Sequence, residues 1–423
     1  MIELKPNTYN KFLCPQCKKD NIKVIDIIFQ GIHVLADCQC NVCNFEFYHD
    51  FPVGHALYYP IAIEKNNQKV YDKNNTKWFS KPLKDSILSK SKDKIKIEKK
   101  IFFNEKNVVI LNCIDYLYGH VLLKLFNAQY YIDNYKQYGL IIIIPKMFKW
   151  LLPEGISEAW IIDTNLKEAQ NWFIELEEFV KKEFKRFDKI YLSLAFSHPD
   201  PSEIDIARFT KIKRFNLDKF LENKINITFI TREDRLWFNT KFELFIYKII
   251  RKLKLLKYFN KFFIDLQNKL IDQTYKQVKR ELPNADFNVV GLGRSGKFKK
   301  YINDYRKNDI TKEIEIKWCE IYSKSHLIIG IHGSNMLLPT ALAAGFIEIL
   351  PKNRYGNIIQ DVFLPYKKRE LFYLGRFVRE FVMPNEIASH AIAIIKHFSG
   401  FDKNMNDKYL RHEIYHDVSK FVE

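Results

Sequence analysis

Residues Ser325 to Pro351, SHLIIGIHGSNMLLPTALAAGFIEILP, read as strand, polar turn, helix, strand, and this stretch decides the fold. Leu327 to Ile331 is a continuous, β-branched-rich run, the pattern of a strand buried on both faces of a parallel sheet. Met336 to Ala344 is apolar, with small residues that allow close helix packing. Between them His332-Gly333-Ser334-Asn335 falls at the carboxyl end of the strand. Gly333 lets the backbone approach closely, and Ser334 and Asn335 are good N-caps whose following amides point outward with the positive end of the helix dipole. The turn is a candidate anion site.

Outward from this stretch the same alternation recurs. Upstream, Lys224 to Arg235 (KINITFITREDR) is a strand ending in a charged turn, and a basic amphipathic run extends from Lys241 to Glu281. Phe287 to Gly291 reads as a strand, Lys297 to Tyr305 as a helix, Ile314 to Trp318 as a strand and Cys319 to Ser325 as a short helix. Nearer the N-terminus, strands are expected at 107–113, 140–145, 159–163 and 189–196, separated by helical segments over 121–132 and 166–187. Strands alternating with helices imply parallel, doubly wound sheets. The expected fold is α/β, with two doubly wound Rossmann-like domains and a small N-terminal zinc ribbon. The expected boundaries are 1–60 for the zinc-ribbon-like module and 61–100 for a lysine- and asparagine-rich linker or surface extension. Residues 101–223 would form the first Rossmann-like domain and 224–385 the second, with a C-terminal helix in 386–423 packing back on the body.

The zinc ribbon rests on two CxxC pairs, Cys14-Pro15-Gln16-Cys17 and Cys40-Asn41-Val42-Cys43, with 22 residues between them. Each pair can make a tight turn that points two thiolates at one metal, and two such turns complete a tetrahedral site. Four thiolates leave no open position, so the zinc would be structural. Cys38 is a competing ligand; Cys40 is preferred because it repeats the spacing of the first pair. Cys113 and Cys319 read as buried apolar residues.

The 423 residues exceed what a single core normally serves. At 47% hydrophobic and 15% aromatic residues the chain is globular, and no apolar run approaches the length of a membrane span. The absence of a secretory pattern points to a cytoplasmic protein. A formal charge of +18 favours anionic partners, including the inner face of an anionic membrane, to which the protein would attach peripherally. Nucleic acid is disfavoured because the charges of 65–100 form no compact basic block.

Four polar turns are the candidates for chemistry: Asp115 to His120, Thr231 to Arg235, Arg294 to Lys297 and His332 to Asn335. Arg232 and Arg235 directly follow a strand, where guanidinium groups can hold a diphosphate; an ion pair with Glu233 or Asp234 is the alternative. His120 begins a helix after a strand and can serve as a base on a sugar hydroxyl, with Asp115 in the same turn as the other candidate. Glu348 lies in an apolar strand, FIEILP, and needs a partner, which a ribose diol or a neighbouring basic residue would supply. Gly291-Leu-Gly293-Arg-Ser-Gly296 matches the dinucleotide fingerprint, with Ser295 and Lys297 as phosphate ligands and Glu315 about twenty residues further on. That match makes an NAD(P)-dependent oxidoreductase one alternative, and a non-catalytic nucleic-acid-binding zinc-ribbon protein is another.

Taken together, ITREDR, GLGRSGKF and SHLIIGIHGSNMLLPTALAAG…IEILP resemble the donor domain of GT-B glycosyltransferases, in particular glycosyltransferase family 61 and its bacterial relatives. YGHVLLKLF is similar to the start of that family's first domain. The resemblance spans residues 107 to about 365 and does not include the zinc module. It implies a metal-independent transferase that moves a sugar from a UDP-, GDP- or CMP-linked donor to a glycan or lipid-linked acceptor. In that case Arg232 and the turn His332, Gly333, Ser334, Asn335 would hold the donor on the second domain. His120 or Asp115 would act near the acceptor on the first.

Overall fold

The computed structural model describes residues 1–405 except 91–94, 361, 365 and 367. It divides into two compact units at Asp200 and Pro201. Unit 1 runs through β1 (Ile2–Lys5), β2 (Ile22–Phe29), β3 (Val34–Cys40), β4 (Glu46–Asp50), β5 (Ala62–Glu64), β6 (Val70–Tyr71) and α1 (Lys77–Leu88). It continues with β7 (Lys96–Ile101), β8 (Asn107–Asn112), α2 (Tyr118–Asn134), β9 (Gly139–Pro145), β10 (Glu158–Asp163), α3 (Ile174–Phe184) and β11 (Lys189–Leu192).

A six-stranded sheet of order β1-β11-β8-β9-β10-β7 forms its centre. The inner strands are parallel and buried, β9 (GLIIIIP) along its whole length. The two edges, β1 and β7, run antiparallel to their neighbours. Lysines on β7 (KIEKKI) suit an edge, because charge there discourages pairing with another chain. The chain crosses from β8 outward to β9 and β10 on one side and returns to β11 on the other, so the order reverses between β8 and β11. That reversal leaves a crevice at the carboxyl ends of the strands.

The cysteine-rich segment forms an antiparallel sheet of order β2-β3-β4-β5-β6. Phe29, Leu35 and Phe47 share one apolar core with Val108, Trp172 and Leu176. Asn112 Nδ2 donates to Gly31 O at 2.8 Å, and Gln30 Nε2 donates to Gln170 O at 2.7 Å. The module is therefore built into unit 1. Residues 61–100, expected to be a linker, instead contribute β5, β6, α1 and β7. Their composition hides a helix whose buried face is Phe79, Ser80, Leu83 and Ser86, spaced at the helical period.

Unit 2 contains α4 (Ala207–Thr210), β12 (Asn226–Arg232), α5 (Lys241–Lys252), α6 (Leu256–Glu281), β13 (Asp286–Leu292), β14 (Ile302–Asp304) and α7 (Lys312–Tyr322). Then come β15 (Leu327–Ile331), α8 (Leu337–Leu342), β16 (Gly345–Leu350), α9 (Lys368–Leu374), β17 (Gly375–Arg379) and α10 (Pro384–Met405). All six strands are parallel in the order β14-β13-β12-β15-β16-β17. In chain sequence this is the dinucleotide-fold order 3-2-1-4-5-6, whose ligand crevice lies where β12 meets β15. Residues 201–223 belong here rather than with the first unit: Phe215 N–H donates to Leu342 O at 2.7 Å, and Phe220 stacks on Phe398 of α10 at 3.9 Å. The part of the expected C-terminal helix beyond Met405 lies outside the described residues.

Two expected elements differ. Residues 297–305 contain no helix; they turn and enter β14. Residues 314–318 are not a strand but the centre of α7. The alternation in EIEIKW imitates a strand, yet Thr311 caps the helix by accepting from Ile314 N–H, and the buried Glu315, Trp318, Cys319 and Tyr322 lie at helical spacing. Among the described residues, no helix is long and apolar enough to cross a membrane.

Candidate active site

The crevice of unit 2 is framed by the turns after β12 and β15. Arg232 Nη1 donates to Asn335 Oδ1 at 3.3 Å, and Arg235 Nη1 donates to His332 O at 2.6 Å. The two strand ends named by the sequence are thus joined directly. Gly333 makes this possible, since a Cβ there would lie 2.3 Å from Arg235 Nη1. Ser334 is half-buried in the same turn, and Asn335 Nδ2 is a buried donor with no hydrogen-bond partner among the described residues. Arg232 also donates through Nε to Asp234 Oδ1 at 2.7 Å. The Asp234 side chain is 68% exposed, so this pair is weakly held in water and can give way to a stronger anion. The helix after the turn is shorter than the sequence implies, a 3-10 turn over Ser334–Met336 leading into α8.

Beside these turns lies a cavity of about 760 Å³, bounded by the ends of β15 and β16 and by the segments after β12, β16 and β17. The size suits a nucleotide-sized ligand. Arg235, Lys248, Arg251, Lys352 and Arg354 line it against only two acids, Asp234 and Glu380, and Trp237, Phe238 and Tyr247 give it an aromatic wall. Of these, the sequence reading picked out only Arg235. Arg354 carried the same signal as Arg232, a guanidinium a few residues past a buried strand.

His332 and Glu348 do not face this cavity as ligands. Both side chains are fully buried and form an ion pair through His332 Nδ1, while His332 Nε2 contacts Asn357 O at 3.0 Å. A carbonyl oxygen can only accept, so Nε2 carries a proton, and a second proton is shared between Nδ1 and the carboxylate. The pair is then net neutral wherever that proton sits. The expectation of a ribose diol on Glu348 is thereby corrected: β15 and β16 are adjacent and place Glu348 opposite Gly330, so the strand's acid is met by the turn's own histidine. His332 supports the turn from beneath and presents its carbonyl to Arg235.

The GLGRSG loop also departs from expectation. Glu233 fills it: Ser295 N–H donates to Glu233 Oε1 at 2.7 Å, and Ser295 Oγ donates to Oε2 at 3.1 Å. Gly293, at φ +93°, permits this, because a Cβ would sit 2.1 Å from Glu233 Cδ. Buried Arg306 binds the loop from the other side, donating to Ser295 O at 2.8 Å and Gly296 O at 3.1 Å while paired with Asp304. A carboxylate of the chain itself thus occupies the position of a phosphate, and no helix follows Gly296. Both facts remove the dinucleotide reading. Ser295 is committed to Glu233, and Lys297 is exposed in the next segment.

In unit 1 the crevice between β8 and β11 holds Asp115, His120, His55 and Lys124. Asp115 is fully buried; His120 Nδ1 lies 3.2 Å from its Oδ1, with Lys124 Nζ at 2.9 Å and His55 Nε2 at 3.3 Å from its Oδ2. Burial raises the Asp115 pKa, but Lys124, His120 and His55 outweigh it and hold the carboxyl well below its ordinary range. Burial is also the main cause that lowers His55. His120 is partly exposed, so with Nδ1 held toward Asp115 its Nε2 is the nitrogen available to a ligand. His55 had no sequence signal; it lies 65 residues from His120 and reaches it through the fold, Nε2 to Nδ1 at 3.1 Å.

Two groups could hold a metal ion, His55 with Asp115 and His120, and Cys14 with Cys17, Cys40 and Cys43. In the first, the Lys124 ammonium already neutralises the carboxylate. The second is built as two matched turns. Cys14 N–H donates to Lys19 O at 2.8 Å and Lys18 N–H to Cys14 O at 3.0 Å; likewise Cys40 N–H donates to Phe45 O and Asn44 N–H to Cys40 O, both at 2.9 Å. Lys18 and Asn44 take the same left-handed conformation, φ 63° and 55°. Cys14 and Cys43 sulfurs, and those of Cys17 and Cys40, are 3.6 Å apart, near the edge of about 3.8 Å that a tetrahedron with Zn–S bonds of about 2.3 Å requires. Cys38, buried in β3, is not one of the clustered ligands.

No protein-family profile and no curated protein matches the sequence. Among solved structures, the chain is similar to a protein described as a UDP-N-acetylglucosamine 2-epimerase from Listeria monocytogenes, at 10% identity over 75% of each chain with a TM-score of 0.30. It is also similar to the wall teichoic acid polymerase TagF, at 13% identity over 81% of this chain and 94% of that one, TM-score 0.25. A third is TarM, at 11% identity over 95% and 79%, TM-score 0.25. At these values the fold assignment rests on the strand order.

Proposed function

We propose that the protein is a glycosyltransferase that moves a sugar from a UDP-, GDP- or CMP-linked donor to a glycan or lipid-linked acceptor. The observation that carries this reading is the pairing of Arg232 with Asn335 and of Arg235 with the His332 carbonyl at the crevice of unit 2, beside a basic, aromatic-walled cavity. As the bond from the anomeric carbon to the diphosphate breaks, negative charge grows on the departing phosphate oxygen. Arg232, Arg235 and the free amide of Asn335 stabilise it without a metal. Lys248, Arg251 and Arg354 hold the remaining charge, and the aromatic wall takes the base.

The acceptor's oxygen attacks the anomeric carbon and gives up its proton to a base, a role that His120 Nε2 of unit 1 is chemically equipped to take, since Asp115 orients its ring and stabilises the imidazolium. His55 and Lys124 keep Asp115 ionised and fixed. Cys14, Cys17, Cys40 and Cys43 would hold a structural zinc that joins the turn between β1 and β2 to the turn between β3 and β4. A thermal-shift panel of UDP-, GDP- and CMP-sugars against NAD and NADP tests the reading. Stabilisation by a nucleotide sugar supports it, and stabilisation by a nicotinamide dinucleotide alone refutes it.

A further inference from the structure

Helices α5 and α6 form a hairpin whose outer surface no part of the described chain covers. Their inner faces pack Tyr247, Phe263 and Ile264 onto Leu236 and Phe238. That contact accounts for only one side of the hairpin. On the other side Phe242, Phe245, Ile249 and Leu253 follow one another at spacings of three and four, and Leu255, Tyr258, Phe259 and Phe262 continue the stripe across the turn. All eight are exposed, Phe242 by 69%, Tyr258 by 68% and Phe262 by 58%. An apolar stripe of this kind on a soluble surface marks a contact site.

The flanking charge identifies what it contacts. Lys241, Lys252, Lys254, Lys257 and Lys261 are exposed around the stripe. Between residues 241 and 262 the one acid is Glu243, and it is engaged in capping, with its backbone N–H donating to Thr240 Oγ1 and its carboxylate accepting from Asn239 N–H. Aromatic and aliphatic side chains along one line with lysines on either side are what a helix needs to lie in a lipid interface. The rings enter the acyl boundary and the lysines reach lipid phosphates. The one acid of this stretch is thus engaged in the helix cap, which leaves the lysines to face an anionic surface. We infer that the α5–α6 hairpin is a membrane-docking element that inserts its apolar stripe into the surface of an anionic bilayer. The inference stands independently of the sugar-transfer reading, because none of the eight stripe residues lines the cavity and their occupant is lipid.

Sedimentation of the full chain with phosphatidylcholine vesicles containing phosphatidylglycerol, compared with phosphatidylcholine alone, tests it without nucleotide. Binding to the anionic vesicles is expected, weakening as salt rises. Phe259→Ser with Phe262→Ser should lower the partition coefficient at least about tenfold, as should Lys257→Glu with Lys261→Glu. Circular dichroism and nucleotide-sugar binding should be unchanged in both variants, which separates this result from failure of the donor site. A Phe259→Trp reporter should shift its fluorescence to the blue on anionic vesicles. No binding of the native chain, binding indifferent to the serine substitutions, or self-association lost in the variants without vesicle binding would each overturn the inference.

Discussion

Arg232 and Glu348 show how far single residues could be read. Arg232 was legible because position alone, directly after a buried strand, implies a guanidinium at the mouth of a parallel sheet. Glu348 was legible only as an acid needing a partner; which partner depended on the register of β15 and β16, which no local pattern reveals. Arg232→Ala should weaken nucleotide-sugar binding about 10- to 100-fold, the effect of losing a charge-assisted hydrogen bond, with the urea midpoint unchanged. His332→Ala should behave oppositely. It removes the histidine partner of a buried carboxylate, so unfolding measurements should show a loss of about 3–5 kcal/mol. His120→Ala should lower the transfer rate by about 10² to 10⁴ while donor binding persists, as loss of a general base does. Unchanged turnover would return His120 to a packing role.

At the scale of elements, the strand-turn-helix units were read well where strands are continuous and apolar, as in β9, β12, β15 and β16. Reading failed where polarity disguised structure. Lysines on β7 resembled solvated chain, and EIEIKW resembled a strand because alternation over a few residues is shared by a helix with one buried face. The glycine-rich loop failed for another reason: Glu233, which fills it, lies some sixty residues away, beyond any local motif. Glu233→Ala should leave the Ser295 amide without its acceptor and cost about 1–3 kcal/mol in urea unfolding, without creating affinity for NAD. The paired cysteine turns were legible from spacing alone. Metal analysis should find a single zinc per chain, lost in Cys17→Ser. Chelation should lower the melting temperature of unit 1, because β2 to β6 share its core.

For the whole molecule, the two-unit α/β plan followed from the alternation of elements, whereas the clustering of His55 with Asp115 and His120 required the cysteine-rich sheet to fold into the first unit. Stability should also carry the mark of buried histidines. Burial is the leading cause that lowers His49, His55 and His326 below their ordinary value of 6.5. A depressed folded pKa contributes stability that is complete above 6.5 and is lost as pH falls toward the folded values. The urea midpoint should therefore decline below about pH 6.5, and a flat profile would contradict these placements. The donor site is tested most directly by calorimetric titration of UDP-, GDP- and CMP-linked sugars into the full chain and into its Arg235→Ala variant. Binding of one nucleotide sugar by the native chain, weakened at least about tenfold in the variant with its fold retained, is the expected result. Equal affinity in both proteins, or heat from NAD alone, would contradict it.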